Sequence, residues 1–339
     1  MTTTVWTRSC GLRALGLPSI TLLGAATVLI AIGLLLLTGC RGDDPTPAGR
    51  DAAQSDPARL VFLFQRQRDP EQTRENARDA AAFLAERLGM PVEAVVPGNY
   101  GASVQALVSE QADVAYLSSL PFLLARRDAG ARLILAEVRP DVEGNRRTNY
   151  DSVWVARADS SIETISDVAA NPGALRVCFT SQTSTSGFIM ATLRLVREGV
   201  LTPGQDAREV FRSVSFGGGY TQALQEVLNA RADLCAVSHY TVEGPTADLY
   251  TTSEERARLR IIARTPDVPT HLVAVRRGIS EDLAGRITEA LLAMSAERPE
   301  LLANVYGATE FRRVAEDDHV RAAVEAVQAV GLPIENLGG

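Results

Sequence analysis

Short runs of apolar residues alternate along most of this chain with longer segments in which apolar residues recur at helical spacing. A short apolar run bounded by turn residues is typical of a strand, and recurrence at i, i+3 and i+4 is typical of an amphipathic helix. The runs predict strands at residues 60–64, 92–96, 113–117, 133–138, 152–156, 175–179, 211–214, 234–237, 260–263 and 272–275. The recurrences predict helices at residues 70–88, 103–110, 121–129, 187–198, 221–230, 281–294 and 317–330. Such alternation indicates an α/β fold with helices covering mostly parallel sheets.

Two segments repeat one pattern 120 positions apart: a tyrosine, a helix, an Ala-Asp turn, a short apolar strand and a serine. The first copy contains Tyr100, Val104, Val108, Ala112, Asp113, Val114 and Ser118, and the second contains Tyr220, Leu224, Leu228, Ala232, Asp233, Leu234 and Ser238. Chance similarity between two ordinary helix–strand units is the alternative. Identity at the tyrosine, the Ala-Asp pair and the serine favours two lobes of similar plan.

The length of the chain also suits two lobes better than one small domain. Ligands of open α/β sheets lie beyond the carboxyl ends of the strands and between domains, so we expect a cleft between the lobes. The expected boundaries are residues 58–152 and 265–339 for lobe 1 and residues 153–264 for lobe 2.

A run of hydroxyl residues, from Ser181 to Gly187, joins the predicted strand at 175–179 to the helix that follows. Ser184, Thr185 and Ser186 place O–H donors beside the free N–H groups of a helix N-terminus, and Gly187 has no Cβ to obstruct an approaching ligand. Free N–H groups and the positive end of the helix dipole suit an anion. The alternative is a simple N-cap, for which a single hydroxyl is sufficient.

The N-terminal region has the pattern of a secretory signal. Arg8 and Arg13 precede an apolar stretch from about residue 17 to 37, and Leu-Thr-Gly-Cys ends at Cys40. A basic start, an apolar centre and small residues at the end define such signals. We expect a signal peptide at residues 1–39, lipidation at Cys40 and a flexible tether at residues 40–57. An uncleaved transmembrane anchor is the alternative, because the apolar stretch approaches the ~20 residues that a spanning helix needs.

Composition excludes several function classes. The formal net charge of −7 argues against nucleic-acid partners, which favour a basic face. The 34 basic residues are all arginine, which excludes a lysine Schiff base and a Walker-type lysine. Cys178 and Cys235 lie in apolar runs and are expected to be buried thiols, with a disulfide as the alternative if their strands are neighbours. No cofactor or metal is expected.

Three segments carry a resemblance to a known family. Asn99-Tyr100-Gly101-Ala102, Asn149-Tyr150-Asp151-Ser152 and above all Ser184-Thr185-Ser186-Gly187 resemble ligand-binding segments of the extracytoplasmic solute-binding proteins of phosphonate, phosphite and phosphate ABC transporters. That resemblance covers about residues 59–307 and implies a two-lobed type II periplasmic-binding-protein fold. Tyr240 and His271 stand where aminophosphonate binders of the family carry acidic residues. The resemblance therefore implies a small oxyanion without an amino group.

The ligand-binding residues expected from the pattern and the resemblance together are Tyr100, Ser118, Tyr150, Ser184, Thr185, Ser186, Gly187, Tyr220, Tyr240 and His271. Hydroxyl and backbone N–H donors would bind a desolvated anion without an arginine cluster. The lobes would close over the ligand by bending at the two crossover strands. Implied partners are the permease and ATPase subunits of an importer and, through the lipid anchor, a membrane. The protein itself is expected to be a monomer.

Two other functions compete with transport. A sensing module could bind the same ligand and signal to a membrane partner, and nothing in residues 41–339 separates the two. A hydrolase with Ser184 or Ser186 as nucleophile would need a nearby base. The chain has no Gly-x-Ser-x-Gly elbow and no His-Glu-x-x-His metal motif, so we expect no enzyme.

Overall fold

Two β-sheets with helices on their faces organise residues 56–332, the part of the chain that the computed structural model describes. The strands are β1 (Leu60–Phe64), β2 (Val92–Val95), β3 (Val114–Leu117), β4 (Arg132–Pro140), β5 (Arg146–Arg147), β6 (Asn149–Arg157), β7 (Arg176–Phe179), β8 (Ser213–Phe216), β9 (Leu234–Ser238), β10 (Leu259–Pro269), β11 (Leu272–Val275) and β12 (Glu310–Arg312).

The α-helices are α1 (Pro70–Leu88), α2 (Tyr100–Val108), α3 (Ser119–Ala129), α4 (Ile165–Ala170), α5 (Ala191–Arg197), α6 (Tyr220–Leu228), α7 (Ser253–Ala257), α8 (Glu281–Glu297), α9 (Pro299–Tyr306) and α10 (Glu316–Val330). A π-helical segment covers Thr185–Met190, and single 3₁₀ turns lie at Pro172–Ala174, Ala207–Glu209, His239–Thr241 and Ala247–Leu249.

The predicted signal peptide, Cys40 and most of the predicted tether lie outside the described residues. None of the helices between residues 56 and 332 combines the length and apolar composition that crossing a membrane requires.

Lobe 1 is built on the larger sheet, which has the strand order β2-β1-β3-β11-β4-β12, with β5 paired to β4. Strand β1, which lies between β2 and β3, is an uninterrupted apolar run, as expected for a strand covered on both faces. One face packs on α1, α8 and α9, and the other packs on α2, α3 and the first half of α10. Lobe 2 is built on the smaller sheet, which has the order β8-β7-β9-β6-β10.

The two sheets share one plan, as the internal repeat predicts. β3 runs parallel to β1 and antiparallel to β11, and β9 runs parallel to β7 and antiparallel to β6. The repeated aspartates make the same kind of contact in each lobe, because each carboxylate accepts a hydrogen bond from the backbone of a neighbouring strand. The Asp113 carboxylate accepts from the backbone N–H of Val61 at 2.9 Å, and that of Asp233 accepts from the N–H of Arg176 at 2.7 Å.

The predicted α/β, two-lobed fold class is confirmed, but both sheets are mixed rather than mostly parallel. The strands that connect the lobes explain the difference. β6 enters the second sheet directly after β5, and β10 leads back into β11 of the first sheet. Because these strands run between the lobes, they meet their neighbours in the antiparallel sense.

Helix α10 packs on both lobes. Val320 and Ala323 lie in the core of lobe 1, while Ala326, Val327 and Val330 lie in the core of lobe 2. The carbonyl of Val330 also accepts from the N–H of Gly204 in lobe 2 at 2.7 Å. Helix α10 therefore connects the two lobes by packing, in addition to the two crossover strands.

The two predicted buried thiols are buried. Cys178 on β7 and Cys235 on β9 are directly opposite each other in neighbouring strands, and both are free thiols. Burial raises the pKa of Cys178 to about 11 and raises that of Cys235 well above its usual range. Such thiols are poor nucleophiles, because the thiolate is the reactive form.

Candidate functional site

The Ser184–Gly187 loop lies where β7 leads into the π-helical segment. Ser184 is the N-cap of that segment, and its Oγ accepts from the N–H of Gly187 at 3.0 Å. The simpler N-cap interpretation therefore holds for this residue. The predicted helix at 187–198 begins two residues early, as the π-helix, and becomes α-helical only at Ala191.

Ser186 lies at the centre of a cluster of buried hydroxyl groups in lobe 2. Its Oγ lies 2.9 Å from the hydroxyl of Tyr220 and 2.9 Å from Oγ of Ser238. Its carbonyl accepts from Oγ of Ser152 at 2.8 Å. The serine that ends β9 and the tyrosine that begins α6 thus meet at the loop, as the repeat predicts for a strand edge.

Thr185 reaches across to lobe 1. Its Oγ1 accepts from the backbone N–H of Leu120, in the first turn of α3, at 2.8 Å. A second contact between the lobes is a hydrogen bond of 2.8 Å from the N–H of Tyr220 to the carbonyl of Gln67. The lobes are therefore in direct contact around the loop.

Gly187 has a different role from the one predicted. A Cβ at this position would clash with the side chain of Thr180 and would lie 3.0 Å from the carbonyl oxygen of Ala236. The glycine lets the loop pack closely on β9, rather than giving a ligand access to the backbone.

Among residues 56–332, five buried polar atoms near the contacts between the lobes have no hydrogen-bond partner, besides Nε of Arg68 and Nε of Arg139. The five atoms are the hydroxyls of Tyr100, Tyr150 and Ser119, Nε2 of Gln67 and Nε2 of His271. Burial, and then the neighbouring Tyr220, raises the pKa of both Tyr100 and Tyr150 well above the usual range, so both phenols stay protonated. Buried polar groups are almost always paired, and an unpaired group calls for an explanation such as a ligand. We call these five atoms the unpaired donor group.

Four helical N-termini also converge here. Tyr100 begins α2, Ser119 begins α3, Tyr220 begins α6 and Thr185 begins the π-helical segment. Helix N-termini attract anions through their free N–H groups and the helix dipole. Tyr100 and Tyr220 lie one repeat apart in sequence, and this repeat is the signal that identified them.

Two glutamines that the sequence analysis missed connect the predicted residues. Ser118 donates its backbone N–H to Oε1 of Gln65 at 3.1 Å, and its Oγ lies 3.2 Å from Nε2 of Gln65. Oε1 of Gln67 accepts from the hydroxyls of Tyr240 and Tyr250, each at 3.4 Å. Both glutamines follow β1 directly, and polar residues at the end of a buried strand were the available signal.

A buried charged group behind His271 was also missed. Glu137 and Arg139 on β4 are buried and form a 3.1 Å ion pair, and Nδ1 of His271 lies 3.2 Å from Oε1 of Glu137. The guanidinium of Arg139 lies 3.7 Å from the ring centroid of Tyr240. The site therefore combines the predicted neutral donors with an arginine and a carboxylate.

The histidines do not support a hydrolase. Neither serine of the loop is bonded to a histidine: Ser186 contacts hydroxyls, and Ser184 caps the helix. Nδ1 of His239 accepts from the backbone N–H of Asp151 at 3.0 Å, and Nε2 of His319 lies 3.0 Å from the carbonyl of Thr270. Burial lowers the pKa of both histidines.

Two other cavities lie near the site but outside it. One of about 310 Å³ lies behind the loop and is lined by Phe179, Phe188 and Phe216; none of the predicted ligand-binding residues lines it. Another of about 580 Å³ opens between Arg68 of lobe 1 and Tyr250 of lobe 2. We place the candidate site at the unpaired donor group, because donors there converge from both lobes.

The fold is that of a two-lobed binding protein, and the candidate site lies between the lobes. Comparison with known proteins is consistent with this class. The binding-protein component of a phosphonate ABC transporter from Pseudomonas aeruginosa superposes with a TM-score of 0.68 at 16% identity, over 83% of this chain and 95% of that chain. PhnD1 from Prochlorococcus marinus, solved with methylphosphonate, has a TM-score of 0.65 at 16% identity, over 80% of this chain and 98% of that chain.

Sequence similarity identifies the family. The model of the family "ABC transporter, phosphonate, periplasmic substrate-binding protein" matches residues 62–319, and the chain belongs to that family. The phosphate-import protein PhnD of Mycolicibacterium smegmatis is 28% identical over 169 residues, which make up 47% of this chain and 50% of that protein. The chain thus matches about half the length of this curated relative. The family is one of transport proteins rather than enzymes.

Proposed function

We propose that this protein captures a small phosphorus oxyanion between its lobes and delivers it to an ABC importer. The observation that carries the proposal is the unpaired donor group. Tyr100, Ser119, Gln67 and His271 contribute to it from lobe 1, and Tyr150 contributes from the start of β6, the crossover strand that enters the sheet of lobe 2. An anion with several acceptor oxygens would pair these donors and would gain from the helix N-termini around them.

Within this proposal the predicted residues divide into two groups. Tyr100 and Tyr150 have free hydroxyls and His271 has a free ring nitrogen, and these atoms would bind the anion directly. The remaining residues hold the site in shape through hydrogen bonds or close packing, and Thr185 and Ser186 would in addition turn their hydroxyls towards the ligand. That second group is Ser118, Ser184, Thr185, Ser186, Gly187, Tyr220 and Tyr240.

The proposed ligand class is phosphate, phosphite or a small phosphonate without an amino group. His271 and Tyr240 stand where a ligand ammonium would need carboxylates. The buried carboxylate nearby, Glu137, is already engaged by Arg139, Tyr116 and His271. An ammonium group would lose its hydration here without gaining a free anionic partner. The similarity to a phosphate-import protein supports the same class.

Delivery would involve the permease and ATPase subunits of the importer. The proposal includes a lipid anchor at Cys40, which would hold a monomer outside the cytoplasm at a membrane surface. The Leu-Thr-Gly-Cys sequence after a basic and apolar leader supports this part.

A thermal-shift series tests the proposal. A ligand at a hundred times its dissociation constant stabilises a protein by ~2.7 kcal/mol, which such a series detects. We expect phosphate, phosphite or methylphosphonate to raise the unfolding temperature, and 2-aminoethylphosphonate and sulfate at equal concentration to raise it less. No shift with any phosphorus oxyanion would contradict the proposed function. A larger shift with the amino compound would contradict the proposed ligand class.

A further inference from the structure

The proposed binding function uses His271 but gives no role to the two charged residues behind it. Glu137 lies on β4 with both carboxylate oxygens occupied. Oε1 is 3.1 Å from Nη1 of Arg139 and 3.2 Å from Nδ1 of His271, and Oε2 accepts from the hydroxyl of Tyr116. The backbone N–H of Glu137 also donates to the carbonyl of His271 at 2.8 Å. The histidine is thus fixed to Glu137 by both its ring and its backbone.

This contact determines which ring nitrogen of His271 is free. Burial acts to raise the pKa of Glu137, but the charge of Arg139 and the hydrogen bonds from His271 and Tyr116 hold it below its usual range. An ionised carboxylate only accepts hydrogen bonds, so Nδ1 of His271 must carry a proton. Nε2 is then the remaining nitrogen, and it belongs to the unpaired donor group.

Most of the groups around His271 are neutral, although the positive charge of Arg68 acts on the neighbouring Tyr306. Burial raises the pKa of Tyr116 on β3, Tyr150 on β6 and Tyr306 on α9 well above the usual range, so all three are neutral. Tyr240, whose ring packs on Tyr150, is neutral for the same reason. Burial lowers the pKa of His319 on α10, which is also neutral. Glu137 and Arg139 cancel each other.

In a singly protonated His271 whose proton is on Nδ1, Nε2 would present its lone pair to a dianion. Two like-charged or lone-pair surfaces repel, whereas one proton between them makes a charge-assisted hydrogen bond. That proton can sit on the histidine or on the ligand oxygen. In both cases the complex holds one proton more than the free dianion and the free protein.

We propose that Glu137 is a positioning residue that holds the Nδ1–H of His271, so that Nε2 and a ligand oxygen share one proton in the complex. This inference rests on the proposed function, because it concerns the same oxyanion site. The shared proton would make the site selective. An oxyanion would bind through this proton, whereas a ligand ammonium in the same place would be repelled by the positive Nε2–H.

Calorimetry measures the proton directly. Inorganic phosphate and methylphosphonate are titrated into the full protein at pH 8, where such ligands are mostly dianionic, in two buffers of different ionisation enthalpy. The difference between the two apparent enthalpies gives the number of protons bound. We expect uptake of roughly one proton by the wild type, as linkage requires when a complex holds an additional proton.

Three variants assign the proton. His271→Asn should lose most of the uptake and bind at least tenfold more weakly. Glu137→Gln should reduce the uptake and weaken binding, because it no longer fixes the tautomer of His271. His319→Asn replaces another buried histidine of lobe 1 and should keep wild-type uptake. Because Glu137→Gln leaves Arg139 without its partner and can impair folding, His271→Asn, which keeps the Glu137–Arg139 pair, is the deciding variant.

Binding by the wild type without buffer-dependent enthalpy would overturn the inference and leave the proposed function standing. Wild-type uptake by His271→Asn would also overturn it. Absence of binding of either ligand by the folded wild type would overturn the proposed function, and the inference with it.

Discussion

The backbone N–H of Leu120 donates a 2.8 Å hydrogen bond to Oγ1 of Thr185, although the two residues lie in different lobes. Leu120 is in the first turn of α3, where N–H groups have no partner within the helix. Thr185 is the first residue of the π-helical segment that contains Ser186. The bond therefore joins a helix N-terminus of lobe 1 to the hydroxyl loop of lobe 2, beside the unpaired donor group.

Thr185→Val tests whether this hydrogen bond between the lobes contributes to ligand binding. Valine keeps the shape but removes the acceptor, and a hydrogen bond contributes ~0.5–1.5 kcal/mol net. We expect the dissociation constant for phosphate to rise about twofold to tenfold, since 1.4 kcal/mol is tenfold. Thr192→Val is the matched control, because the Thr192 hydroxyl has no partner. If the two variants bind phosphate with equal affinity, the hydrogen bond between Leu120 and Thr185 does not contribute to ligand binding.

Ser184→Ala and Ser186→Ala should affect different quantities. Ser184 is an N-cap, and loss of a cap lowers the free energy of unfolding by ~0.5–2 kcal/mol. Ser186 contacts Tyr220 and Ser238 in the site, so its loss should mainly weaken ligand binding. Chemical denaturation and calorimetry on both variants measure the two effects. The assignment fails if Ser184→Ala weakens binding more than Ser186→Ala does.

The bounds of β1 and α1 could be predicted from the sequence, because a continuous apolar run and an uninterrupted 3.6-residue period are local signals. Tyr100 and Tyr220 were found because the repeat is visible in one sequence. Glu137 and Arg139 could not be found. Their partners, His271 and Tyr306, lie more than a hundred residues away, and only the pairing of β4 with β11 brings His271 close.

The π-helix and the mixed sheets were also not predicted, because they depend on contacts that the local sequence pattern does not record. The apolar period after Gly187 is compatible with either helix type, and the N-cap bond of Ser184 fixes where the helix begins. Strand direction in β6 and β10 depends on how the chain passes between the lobes, which no local pattern records. Local order was predictable, whereas long-range pairing was not.

Gly187→Ala should destabilise the fold. The new Cβ would meet Thr180 and the Ala236 carbonyl, and overpacking of this kind costs ~1–3 kcal/mol. Gly101→Ala is the matched control, since its Cβ would have only an ordinary contact with Asn99 at 3.4 Å. Urea denaturation of both variants decides the matter. A stability of Gly187→Ala equal to that of the control would contradict the packing role.

Stability should fall as the pH drops below neutrality. Burial lowers the pKa of His239 and His319 below the ordinary histidine value of about 6.5, so the unfolded chain binds protons that the folded one does not. The stabilisation is present above about pH 6.5 and is lost as the pH falls towards the lower folded values. Denaturation at pH 7.5 and 5.5 measures it, and His319→Asn should reduce the difference. Equal stability at the two pH values would contradict this assignment.

Cys40→Ser tests the proposed anchor. If Cys40 is the lipidated residue, the variant should leave the membrane fraction or remain unprocessed, because serine lacks the thiol to which the lipid would be attached. Fractionation and mass spectrometry of the mature protein provide the measurement. Unchanged membrane attachment and mass would favour the uncleaved anchor instead.

The most direct measurement of the central claim is a paired determination of affinity and stability for Tyr100→Phe and Tyr150→Phe. Neither phenolic hydroxyl has a hydrogen bond of ordinary geometry among residues 56–332, although Tyr100 lies near Gln65 and Tyr150 lies near Ser186. Removal of either hydroxyl should therefore change the free energy of unfolding little. A hydrogen bond to a charged ligand contributes ~1.5–3 kcal/mol, so each variant should bind phosphate or methylphosphonate at least tenfold more weakly by calorimetry. Wild-type affinity in both variants, with or without a loss of stability, would contradict an oxyanion site between the lobes.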